Sequence, residues 1–132
     1  MDKKMILCAI IFILIAIILG AFASHGLKSL GIPPEKISSF ETGVRYLFYN
    51  GLGLMAVAGV FGRFEFSVRP FYRAILWGTI LFSGSIFALV LMPVFNLDLG
   101  KYIGPVTPVG GGIIIFGWFV LLAKFLRTYT TE

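Results

Sequence analysis

A single cysteine and a single histidine leave this chain little material for the commonest site chemistries. One cysteine cannot close an internal disulfide. Cys8 stands in an apolar run, where a thiol packs as a small apolar group. His25 has neither a second histidine nor a nearby cysteine to complete a zinc site. CxxC, HExxH and a Gly-rich phosphate loop are absent from the sequence. The sequence therefore points to no metal, no cofactor and no catalytic residue. Charge is also scarce. Charged residues make up 13% of the 132 positions, against about 25% in soluble domains. The few charges lean basic, with 11 Lys and Arg against 6 Asp and Glu. They flank apolar stretches, which points to anionic lipid headgroups and not to nucleic acid as the partner.

What fills the sequence instead is uncharged runs. Met5–Ala23 has 19 residues, Tyr46–Gly62 has 17, Ala74–Leu97 has 24 and Tyr102–Ala123 has 22. A helix rises about 1.5 Å per residue, so roughly 20 residues cross a hydrocarbon core about 30 Å thick. Backbone groups in lipid must bond within the chain, so each run is expected to be helical. The expected fold class is all-α: an integral membrane bundle of four transmembrane helices in one domain spanning residues 1–132.

Helix 1 is expected from about Lys4 to Ser24, with Ala9, Ala16, Gly20 and Ala23 on one face where another helix can approach closely. An alternative is a signal peptide: Lys3-Lys4, an apolar run, then Ala21-Phe22-Ala23 as a cleavage site. We expect retention, with the chain starting near Met1. Ser24–Pro33 reads as a connector. Helix 2 is expected to start at Pro34, which suits the first helical position, with Glu35 favourable to the dipole. A start at the capping box Ser38-Ser39-Phe40-Glu41 is the alternative. Helix 3 is expected over Phe71–Met92, stopping at Pro93, with a narrow face of Ala74, Gly78, Leu81, Ser85 and Ala88. Helix 4 is expected over Pro108–Arg127 with Thr107 as its cap. Gly110-Gly111-Gly112 would weaken its first turns or allow very close packing.

Four crossings put both termini on one side, with Lys3, Lys4, Arg63, Arg69, Arg73, Lys124 and Arg127. The other side has Lys28, Lys36, Arg45 and Lys101. This bias predicts both termini in the cytoplasm of a cell (inner) membrane.

Six polar residues form the candidate site. Glu41 and Arg45 are four apart on one helical face and are expected to pair at the outer boundary. His25 lies on the same side, as an interfacial residue or a pH-responsive partner for Glu41. Asn50 is nine residues after Glu41, about half a turn round the helix. It is expected to bond across to another helix, with Thr79, Ser83 and Ser85 as possible partners, although Ser and Thr also bond their own backbone.

These segments carry a resemblance. Gly20-Ala21-Phe22-Ala23-Ser24-His25-Gly26-Leu27 resembles a G-A-F-G-A-H-G-L run. Phe40-Glu41-Thr42-Gly43-Val44-Arg45-Tyr46 resembles F-E-T-G-V-R-Y. Leu81–Ser85 and Pro105–Gly111 match two later blocks in order. The family is the domain of unknown function 423 group of small membrane proteins. The resemblance covers nearly the whole chain and implies four transmembrane helices with the first retained. Asn50 stands where relatives often carry a second histidine after the tyrosine. The resemblance implies no activity, substrate or catalytic residue.

The expected function is non-enzymatic: a structural or accessory subunit packing with itself or a larger membrane complex. The alternative is a small transporter or channel with an outer polar site at His25, Glu41 and Arg45. A membrane enzyme or quinone-site subunit is a third reading. An open polar path would favour transport, and a dry bundle with exposed small-residue faces would favour the accessory role.

Overall fold

The computed structural model describes residues 3–131; the expected start at Met1 lies outside them. Four helices are long and apolar enough to cross a membrane. They are α1 (Lys3–Ser29), α2 (Pro34–Val60), α3 (Arg69–Leu91) and α5 (Val106–Tyr129), with a single-turn α4 (Gly100–Ile103) before the last. Among the described residues there is no strand. The chain is all-α, as its uncharged runs require.

The helices pack in chain order, α1 on α2, α2 on α3 and α3 on α5. Apolar burial gains little between helices already in lipid, so association rests on close packing and hydrogen bonds. The sequence supplies the close packing. Ala9, Ala16 and Ala23 are buried on α1. Opposite them, a Cβ on Gly51 of α2 would stand 3.1 Å from Phe12 Cβ and 3.3 Å from the Ala9 carbonyl. Large apolar side chains such as Leu7, Leu14 and Ile18 point away from α2 and are exposed. Where α3 meets α5 the backbones come closer still. A Cβ on Gly110 would lie 2.8 Å from Phe82 Cα and 2.9 Å from the Gly78 carbonyl oxygen. Of the three consecutive glycines, Gly110 sits at the crossing and Gly112 faces open space.

Several boundaries differ from the expectation. Helix α1 runs to Ser29, so Ser24–Ser29 is helix and the connector shrinks to residues 30–33. The cause is a late and well-formed stop. Gly31 has φ +75°, the left-handed conformation a glycine adopts without a Cβ clash. The Ile32 N–H donates to the Leu27 carbonyl and the Gly31 N–H to the Lys28 carbonyl. That is the six-to-one and five-to-two pattern of a Schellman cap. The usual apolar contact accompanies it, because Leu27 and Ile32 are buried in the same cluster. Helix α2 starts at Pro34 after an extended Pro33, and the Ser38 capping box is not used. Helix α3 starts two residues early at Arg69 with Pro70 in its first turn, and stops at Leu91. A 3-10 turn, Met92–Phe95, then absorbs Pro93. Helix α5 begins at Val106, not Pro108, after Pro105. Thr107 is therefore inside the helix and not its cap; its hydroxyl has another partner.

At the terminal end, Phe64 and Phe66 stack with centroids 5.1 Å apart. Lys124 Nζ donates to the Ser67 carbonyl at 2.8 Å. The Lys124–Ser67 bond ties the α2–α3 connection to the last turns of α5.

Candidate functional site

The buried polar groups sit on α2, α3 and α5 and join them pairwise. Ser83 Oγ on α3 donates to the Gly43 carbonyl on α2 at 2.7 Å. The Ser85 and Thr107 hydroxyls, on α3 and α5, lie 2.6 Å apart, and Ser85 Oγ also donates to its own Phe82 carbonyl at 2.9 Å. Asn50 Nδ2 donates to the Tyr46 carbonyl one turn back at 2.9 Å. Its Oδ1 accepts from Trp118 Nε1 on α5 at 3.2 Å. Asn50 thus bonds across to another helix, but to Trp118 and not to Thr79, Ser83 or Ser85. Space explains the choice. A Cβ on Gly53 would lie 2.6 Å from Trp118 Cζ2, so the absence of a side chain there admits the indole against α2. Phe71 packs on the same indole edge-to-face at 4.9 Å. No helical periodicity marks Trp118, which stands on a helix whose bulky residues are mostly exposed and is itself 39% exposed.

Membrane hydrogen bonds of this kind are worth about 0.6 kcal/mol on average and up to about 2 kcal/mol. Asn50→Ala and Trp118→Phe should each lower unfolding stability in detergent by about 1 kcal/mol. The double variant should cost less than the sum, because both remove the same bond. Fully additive losses would mean that the Asn50–Trp118 bond contributes nothing.

Thr79 differs from its neighbours. Its Oγ1 is fully buried and has no hydrogen-bond partner among the described residues. Replacing an unsatisfied hydroxyl by a methyl of the same shape is neutral or stabilising. Thr79→Val is expected to unfold at the same or a higher temperature, by up to about 1 kcal/mol; a clear loss would show that the hydroxyl has a partner.

The charged candidates do not join this network. His25 is in the last two turns of α1 and is exposed. Glu41 is exposed and makes no ion pair or side-chain hydrogen bond with a described residue. The Glu41–Arg45 pair is not formed. Arg45 Nη2 instead donates to Thr42 Oγ1 at 2.9 Å, and Thr42 donates to the Ser38 carbonyl. A hydroxyl three residues back on the same helix competes for the guanidinium, while the exposed carboxylate remains solvated. Glu41→Gln and Arg45→Gln should therefore each shift stability by less than about 0.5 kcal/mol, and additively. A coupling above that in a double-variant melting series would restore the ion pair.

Near Arg45, at the end of the bundle away from the termini, lies a pocket of about 380 Å³. Ile86, Leu89 and Val90 of α3 line it together with Lys36, Ser39 and Thr42 of α2 and Thr107 of α5. Further along the same face of α2, aromatic side chains pack between the helices while Tyr46 and Trp118 stay partly exposed. Tyr46 packs on Phe82 at 5.2 Å, and Asn50 and Gly53 meet Trp118. The pocket gathers Thr42 and Thr107 from two of the blocks that carry the resemblance. His25, Glu41 and Asn50 are not in its lining. Among the described residues no group of three metal-binding side chains is present.

Residues 19–111 match the family described as "Protein of unknown function (DUF423)". A UPF0382 membrane protein of Schizosaccharomyces pombe is 34% identical over 116 residues, covering 83% of this chain and 90% of the relative. One of Staphylococcus saprophyticus is 31% identical over 120 residues, covering 91% and 94%. One of Bacillus subtilis is 33% identical over 127 residues, covering 95% and 98%. No solved structure matches. Four spans of the right length and relatives matched along almost their whole length lead to one assignment: the chain belongs to the DUF423 family of membrane proteins, also named UPF0382.

Proposed function

We propose that the protein is a non-enzymatic structural or accessory subunit of a cell (inner) membrane, with both termini cytoplasmic. It assembles with further copies of itself or with a larger membrane complex. The observation that carries this reading is how the interior polar groups are used. Ser83, Ser85, Thr107 and Asn50 are engaged in bonds between helices, and Tyr46 packs on Phe82 along the face of α2 that also carries Asn50. A bundle whose polar atoms hold its own helices together has a rigid body to offer a partner. The free faces supply the surface. Gly84 and Gly112 are exposed with open space where a Cβ would be, and small residues are where a neighbouring helix approaches most closely.

Transport is the second reading, favoured by the outer pocket with Lys36, Ser39 and Thr42 beside Arg45. A pull-down from membranes in mild detergent, with co-purifying chains identified, separates the two. A reproducible partner at fixed stoichiometry supports the accessory role. Isolation as a lone chain that moves a solute across reconstituted vesicles overturns it.

A further inference from the structure

The terminal end of the bundle holds a larger recess than the outer end, about 1050 Å³. Lys3 and Lys4 at the start of α1 and Arg69 and Arg73 at the start of α3 all line it. Among the described residues, Glu65 is the one acidic residue in the lining. Even with Asp2, adjacent in sequence, the cations lead four to two. None of the four cationic groups makes an ion pair or hydrogen bond with a described residue; at Arg69 it is the backbone N–H that donates to Ser67 Oγ. Phe64 and Phe66 form one wall, held by their mutual stacking and by the Lys124–Ser67 bond beneath them. The recess therefore has a braced wall before any ligand arrives.

We propose that this recess is a binding site for the phosphodiester of an anionic phospholipid, its acyl chains lying along the bundle. Position selects a lipid over a soluble anion. Three spans end at this recess, so its cations stand at the level where headgroups lie, and Tyr72 in its lining is of the type that favours that interface. Charge selects an anionic lipid: basic recesses between spans recognise such headgroups, and each cation near the surface contributes about 1 kcal/mol. The charge on α3 strengthens the demand. Its first turn carries no acidic residue, so the dipole and both arginines act in the same sense. The outer pocket lacks this character, with Lys36 as the one cation among the described residues of its lining. This inference stands apart from the accessory role and survives its failure.

The test uses the full chain in a neutral detergent and follows both its melting temperature and the lipid retained in native mass spectrometry. Phosphatidylglycerol, phosphatidylcholine, inorganic phosphate and glycerol 3-phosphate are added separately. The expected result is retention and stabilisation with phosphatidylglycerol alone. Arg69→Gln with Arg73→Gln should weaken retention at least about tenfold, from the roughly 1 kcal/mol per cation. Lys28→Gln with Lys36→Gln removes the same charge from the opposite end and should leave retention unchanged. If the arginine pair variant does not fold, Lys3→Gln with Lys4→Gln gives the same reading. Equal effects of phosphatidylcholine would overturn the proposal, as would equal effects of inorganic phosphate, which would make the recess a free-anion site. Equal losses in the two charge-matched variants would overturn it too, leaving only a general attraction to anionic membranes.

Discussion

Gly110→Val should be the most damaging single change in the chain. Its Cβ would meet the backbone of α3, 2.8 Å from Phe82 Cα and 2.9 Å from the Gly78 carbonyl oxygen. Backbone atoms cannot rotate away as a side-chain tip does, so α3 and α5 must separate. Overpacking in a filled core costs about 1–3 kcal/mol, and a clash with backbone belongs at the upper end. The loss spreads further, because α3 and α5 also share the Ser85–Thr107 bond. Gly112→Val is the matched control two residues on. A Cβ there meets nothing within 4 Å, so its melting temperature should hold or rise slightly. Equal destabilisation by the two changes would mean that glycine is needed there for backbone freedom and not for the crossing.

Reporter fusions should give an all-or-none result. Seven basic residues flank the terminal side and four the other; the α2–α3 connection contributes Arg63 to the first group, and the first turns of α3 contribute Arg69 and Arg73. Lys and Arg near span ends stay on the cytoplasmic side. A reporter after Glu132 should remain cytoplasmic, and one inserted at Asp98–Lys101 should be translocated. The opposite pattern would move the basic recess to the outer surface, where anionic headgroups are scarcer.

The spans were legible because charge is excluded from lipid, and four uncharged runs leave few arrangements. The α1 stripe was legible for the same kind of reason: Ala9, Ala16 and Ala23 recur at helical spacing, and all three are buried. Asn50 could be placed on a protein-facing surface because a polar amide deep in a span needs a partner. The identity of that partner was not legible. Trp118 lies 68 residues away, and its role depends on the gap left by Gly53, which is a tertiary fact. The end of α1 was missed for a local reason. Gly26 and Gly31 compete as stop signals, and the Ile32–Leu27 contact that decides between them appears only when the chain has turned. Spacing alone also overstated Glu41 and Arg45. It brings them to one face, but not into contact when Thr42 offers Arg45 a hydroxyl.

The most direct measurement is the mass of the assembly taken from native membranes in a lipid-retaining polymer, at ordinary expression levels. The chain itself is 14.5 kDa. An accessory subunit predicts one discrete larger mass, either a fixed multiple of this chain or this chain with a second polypeptide. Particles holding a single 14.5 kDa chain and lipid alone would contradict the account.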